Sequence, residues 1–252
     1  MTDFDSRLIK IVSSKAVEET IDTINIGLGY TAVVLKNHQC GLCCTLSNSS
    51  SSCTVYHQNN DFEGQTADKL LYTLKDEKDT VSRAVIIAMI NALNQDETAK
   101  METDSSSIIN TMHLKAGNTV AMIGFFAPLV HQMEKAGIKV KAYDIGKKTG
   151  NEKDFYNFEL PSSDGLILTA TSFINCTFSS VMDRLSNYKK PVILMGPSTI
   201  MIPELYRDTP VSFLAGTDVN NVIGVLKSVR NGKGTPDLHK SSRKIALRIN
   251  NF

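Results

Sequence analysis

Small polar residues and glycines recur directly after short apolar runs in this chain. Gly124 and Phe125 follow Ile123; Thr169, Thr171, Ser172 and Asn175 follow Leu168; Gly196, Pro197, Ser198 and Thr199 follow Met195; Gly216, Thr217 and Asp218 follow Leu214. Hydroxyls, a carboxamide and backbone N–H groups beside glycine suit a small polar or anionic ligand that takes several hydrogen bonds. Thr171, Ser198 or Asp218 taken singly is better read as a helix cap, but the whole rim taken at once is not. Asp144 follows Gly124 by roughly the 20 residues at which a dinucleotide fold places its ribose-binding acid. The glycine fingerprint of that fold is absent, since Phe125, Phe126, Ala127 and Pro128 follow Gly124. NAD and FAD are therefore disfavoured.

A second concentration of chemistry lies upstream, where His38, Cys40, Cys43, Cys44, Cys53 and His57 crowd together. Cys40 and Cys43 form a C-x-x-C pair, half of a zinc site. Cys43 and Cys44 are neighbours on a strand and point to opposite faces, so at most one of them can join Cys40. The alternative is a set of buried thiols acting as small hydrophobes. His131 is placed to act as an acid or base, or to pack. Cys176 is either a thiol activated near a helix start or a core thiol. No Ser/His/Asp or Cys/His arrangement can be assembled. The run His239, Lys240, Arg243, Lys244 and Arg248 lacks interleaved aromatics and reads as a solvated edge.

The elements that must position these groups follow from periodicity. Residues 120–123 are apolar without alternation, as in a strand covered on both faces. Gly124 ends it, Pro128 suits a first helical turn, Gly137 stops the helix, and residues 138–144 form the next strand. That is a right-handed βαβ unit. Further strands are expected at 165–169, 192–195 and 211–214, with helices at 174–185, 203–206 and 219–229. Together they make an α/β, Rossmann-like domain with a parallel, doubly wound sheet over 108–252. Upstream, residues 4–21 have helical spacing, 24–35 and 42–46 read as a hairpin, a third short strand is expected at 53–57, and helices at 67–74 and 80–93 follow. Residues 1–100 are thus an α+β domain. The polar stretch 94–107 separates the two.

Composition narrows the classes. The 252 residues carry 27 basic and 26 acidic side chains, a net charge of +1, so no global field recruits nucleic acid or an anionic membrane. No apolar run reaches the ~18 residues of a membrane helix. The acidic, polar start does not resemble a signal peptide, and five cysteines fit a reducing compartment, so a cytoplasmic location is expected. Assembly into a homo-oligomer is left open.

The blocks GYTAVVL, AMINAL, GFFAPLV, TATSFINCTFSSVMDRL, GPSTIMIPELY and GKGTPDL also carry a likeness. They resemble a family of unknown function described as "putative heavy-metal chelation", across most of the chain. The resemblance implies an enolase N-terminal-like domain, then a Rossmann-like one, with a site between them. Gly124, Thr171, Ser172, Asn175, Gly196, Pro197 and Ser198 match its second-domain motifs, and Tyr30, Thr31 and Asn91 those of its first. The expected function is binding of a small polar or anionic molecule in the interdomain cleft, with condensation or hydrolysis of a pterin-like or siderophore-like chelator. Two alternatives stand beside it: an S-adenosylmethionine-dependent methyltransferase, and a non-catalytic metal-binding module built on the Cys40 region.

Overall fold

The structure is a computed structural model that describes residues 4–46, 56, 58, 60–103 and 107–249. A three-stranded antiparallel meander comes first: β1 (Ile21–Ile26), β2 (Tyr30–Leu35) and β3 (Cys40–Cys44). The helix Phe4–Glu18 precedes it and the helix Thr80–Leu93 follows. A six-stranded sheet comes second, in the order β5-β4-β6-β7-β8-β9. Its strands are β4 (Thr119–Ile123), β5 (Lys139–Tyr143), β6 (Gly165–Thr169), β7 (Val192–Met195), β8 (Phe213–Val219) and β9 (Ser242–Arg248). β5 through β8 run parallel; β9 is antiparallel to β8. The chain is thus mixed α/β, with a small antiparallel sheet and a large, mostly parallel one. No helix among the described residues is long and apolar enough to cross a membrane.

Four expectations are corrected. Residues 24–35 are two strands, because Gly27, Leu28 and Gly29 turn the chain, and the first strand begins at Ile21. The expected helix at 174–185 starts only at Phe178, after a tight turn at Ala170–Phe173. β8 runs on to Val219, so Gly216, Thr217 and Asp218 lie inside a strand paired with β9 instead of on the rim beyond a strand end. The basic C-terminal run is in part β9 itself: Arg243 ion-pairs with the buried Asp218 at 2.9 Å, and the Arg248 guanidinium lies 4.3 Å from the Phe213 ring centroid. The strand expected at 53–57 and the residues Cys53 and His57 lie outside the described residues; Tyr56 has no regular structure.

The helix Thr80–Leu93 explains how the two sheets meet. Nearly every residue in it is buried, because one side packs on the small sheet and the other faces the large one. It seats on β3 at Gly41, where any Cβ would lie 2.1 Å from the Ala88 carbonyl oxygen. Val33, Leu35 and Cys43 of the small sheet share one core with Leu166, Leu168 and Leu194 of the large sheet through this helix. The opposite face of the small sheet is covered by Val225 and Val229 of the helix Val222–Arg230, which leaves the large sheet and returns over β1 and β2. The helix Ala127–Lys135 covers the far face of the large sheet through Met133.

Candidate functional site

In the large sheet the strand order reverses at β4, with β5 on one side and β6 on the other. The loops after β4 and β6 therefore leave the strand carboxyl ends at the position where sheets of this kind usually have their ligand crevice. Gly124 forms its floor. Its φ is +89° and a Cβ would fall 2.8 Å from the Thr169 Cβ, so glycine is the residue that lets these loops touch. The next N–H, of Phe125, donates to Asp144 Oδ2 at 2.8 Å, while Asp144 Oδ1 accepts from the Lys147 N–H at 3.0 Å. Lys147 Nζ in turn donates to the Phe125 carbonyl at 2.7 Å and lies 5.2 Å from the Phe125 ring centroid. Asp144 thus holds its own loop against β4, filling the position an external anion would take at this N–H.

The loop after β6 is built from hydroxyls. Thr169 and Thr171 Oγ1 atoms are 2.9 Å apart. Ser172 is buried and its hydroxyl has no hydrogen-bond partner among the described residues. Asn175 is exposed and its side-chain oxygen accepts from the Thr177 hydroxyl at 2.7 Å. Cys176 is exposed with φ +58°, a left-handed conformation uncommon for a side chain of this type.

After β7, Gly196 takes φ +131° and its carbonyl accepts from the Thr199 N–H at 3.0 Å, which closes a tight turn. Pro197 is half-buried within this turn. Ser198 is buried beneath it, and its Oγ accepts the Cys44 N–H of β3 at 2.9 Å. Tyr30 pairs across from Cys44; its hydroxyl lies 2.6 Å from Thr235 Oγ1, and burial raises its pKa. Thr31 is buried with its hydroxyl 2.9 Å from that of Thr45. Asn91 donates to the Leu42 carbonyl at 2.9 Å and lines a small cleft with Gln95, Thr98, Thr199 and Asp218.

These residues form a row. At ~4.8 Å per strand, the ends of β5 and β8 are about 19 Å apart, so a small molecule cannot touch Asp144 and Asn91 together. The ends of β4, β6 and β7 span only about 10 Å. They bring together Gly124, Thr169, Thr171 and Gly196, whose Cβ position is 3.9 Å from that of Ala170. Of the cysteines, Cys40 lies apart from this crevice, whereas Cys43 hydrogen-bonds Ser198 and Cys176 sits on the loop after β6. Cys40 packs with Ala32, Val34 and Val219, and Cys43 with the main core on the other face of the small sheet. Burial pushes the Cys40 thiol up to about 12 and the Cys43 thiol higher. His131 is exposed on the helix Ala127–Lys135.

Sequence reasoning placed Thr169 at the strand end without its contact on Gly124, and it missed Arg83, a buried cation whose Nε donates to the Phe173 carbonyl at 2.9 Å. The signal for Arg83 was a lone charge on an otherwise apolar helix, which periodicity alone assigns to solvent.

The strand order makes this an α/β protein with a reversal at β4, the position at which open sheets of this kind generally take their ligands. Family comparison then places it. Two family models, both described as "Putative heavy-metal chelation", match residues 9–94 and 107–248, and the chain belongs to this family. An uncharacterized protein of Methanocaldococcus jannaschii is 22% identical over 262 residues, covering 98% of this chain and 97% of the relative. Among solved structures, a family member of unknown function from Pyrococcus horikoshii superposes with a TM-score of 0.80 at 22% identity, covering 98% of this chain and 100% of the other. Another, from Desulfitobacterium hafniense, gives 0.73 at 16% identity, covering 96% and 98%.

Proposed function

We propose that the crevice over the ends of β4, β6 and β7 binds a small molecule with several hydrogen-bonding groups, polar or anionic, and that this molecule is a metal chelator. The observation that carries this reading is the convergence of the Gly124, Thr169–Thr171 and Gly196–Ser198 loops at one strand-order reversal. The family description supports the chelator. So does the state of the thiols: Cys40 and Cys43 occupy opposite faces of a sheet, and burial disfavours the thiolate that a metal needs. The metal-binding atoms in this reading belong to the ligand. Its pterin-like or siderophore-like nature and a condensation or hydrolysis step rest on the family resemblance. Residues 1–100 act as an enolase N-terminal-like domain beside a Rossmann-like domain of residues 108–252. The engagement of both Asp144 oxygens by Phe125 and Lys147 favours this reading over an S-adenosylmethionine site, which needs an acid free for ribose hydroxyls.

The test uses small molecules released by denaturing protein purified without chelators, identified by mass spectrometry. Wild type is expected to release a chelating compound. Thr171→Val combined with Asn175→Ala is expected to release none, at a nearly unchanged melting temperature. Equal retention by the double variant contradicts the assignment.

A further inference from the structure

The loop that carries Thr171, Ser172, Asn175 and Cys176 is gripped from outside by the beginning of the chain. Phe4, the first described residue, stacks on Phe173 with ring centroids 5.2 Å apart and planes 11° from parallel. It also meets Phe178 at 4.5 Å and Tyr206 at 6.2 Å. Asp5 makes a two-point ion pair with Arg83, Nη1 to Oδ2 at 3.0 Å and Nη2 to Oδ1 at 3.1 Å. The same guanidinium donates through Nε to the Phe173 carbonyl and through Nη1 to the carbonyls of Leu74 and Glu77. Phe173 is therefore held twice, by its ring against Phe4 and by its carbonyl on Arg83. Arg83 is 3% exposed.

Such an arrangement exceeds what packing needs. A buried guanidinium carries a desolvation penalty that only a well-formed ion pair and added hydrogen bonds offset. An apolar residue would fill the space without that penalty, but it would not fix the carbonyl of one particular loop residue. Cys176 adds a second sign of constraint, since its left-handed backbone persists only where the surroundings over-determine it.

We propose that Phe4, Asp5 and Arg83 form a clasp that positions the 170–178 loop, with Arg83 as the positioning residue and Asp5 as its lock. Opening the clasp releases the loop bearing Thr171, Ser172 and Asn175 while the sheet beneath stays folded. The inference rests on the proposed ligand role of that loop for its functional meaning, but its test needs no ligand, so the two can fail separately.

Hydrogen exchange read by mass spectrometry, on peptides covering 170–178 and on peptides from β4 and β7, distinguishes the outcomes. In Asp5→Ala the loop peptides are expected to exchange on the order of tenfold faster or more, as for loss of a hydrogen bond to a charged group. The β4 and β7 peptides keep their protection, and Asp5→Glu restores part of the loop's. Iodoacetamide labelling mapped to Cys176 is expected to change rate in the same variants. Arg7→Ala serves as the control, because Arg7 joins the same helix to Asp208 and the Glu204 carbonyl without touching the loop. It leaves the loop peptides unchanged. Should Asp5→Ala fail to fold, Phe4→Leu removes the ring stack at similar volume and is read on the same peptides. Unchanged loop exchange in the folded variant, or equal acceleration in Arg7→Ala, overturns the proposal.

Discussion

Ser198 joins the two sheets through the Cys44 N–H and the Cys43 thiol, and its removal is predicted to be felt in stability before it is felt in binding. Ser198→Ala leaves the Cys44 N–H without its acceptor, which costs about 1–3 kcal/mol; urea denaturation measures it, and a variant as stable as wild type contradicts the assignment. Asn175 is exposed, so Asn175→Ala alone should leave the denaturation midpoint unchanged. At the opposite end of the row, Asp218→Ala takes the carboxylate from Arg243, whose Nη1 and Nη2 atoms then keep the carbonyls of Met101, Thr98 and Ala99 and the Thr103 hydroxyl. Breaking a buried pair from one side costs about 3–5 kcal/mol. His239 supplies a pH dependence: burial and then Lys244 lower its pKa below 6.5. The folded state resists protonation that the unfolded state accepts, so stability is full above that value and falls as pH drops below it. Melting temperatures of wild type and His239→Asn should diverge there and coincide at neutral pH. The residue-level site was legible in part, because glycine and hydroxyl residues after apolar runs mark strand ends. The partners of Asp144 and Ser198 were not, since a carboxylate or hydroxyl looks the same in sequence whether it meets a ligand or a distant N–H.

Elements were legible where one period dominated. The helix Thr80–Leu93 and strands β4, β6 and β7 follow from their apolar runs. β8 was legible only at its start and β9 not at all, because Gly216, Thr217 and Asp218 have turn-like chemistry and β9, SRKIALR, groups its basic residues without a strand alternation. Pairing with β9 overrides local preference, and Asp218 is held inside the strand by Arg243. Gly41 tests the key element contact. Gly41→Ala drives a Cβ into the Ala88 carbonyl and must lift the helix from β3. The expected loss is about 1–3 kcal/mol or more, read from the denaturation midpoint; an unchanged midpoint would show that the helix does not sit there.

At the scale of the molecule, the alternation of strands and helices announced a doubly wound sheet after a smaller α+β layer, and the strand order that creates the crevice emerged only with the structure. Local pattern does not say on which side of β4 a later strand pairs. The core shared across both sheets predicts one cooperative thermal transition by calorimetry; two resolved transitions would separate the sheets energetically. The ligand crevice itself is tested most directly by a crystal structure of protein taken straight from cells. The account predicts density for a small molecule against Gly124, Thr171 and the Gly196 turn. An empty crevice with bound density instead at the Asn91–Asp218 cleft, or metal at Cys40, contradicts it.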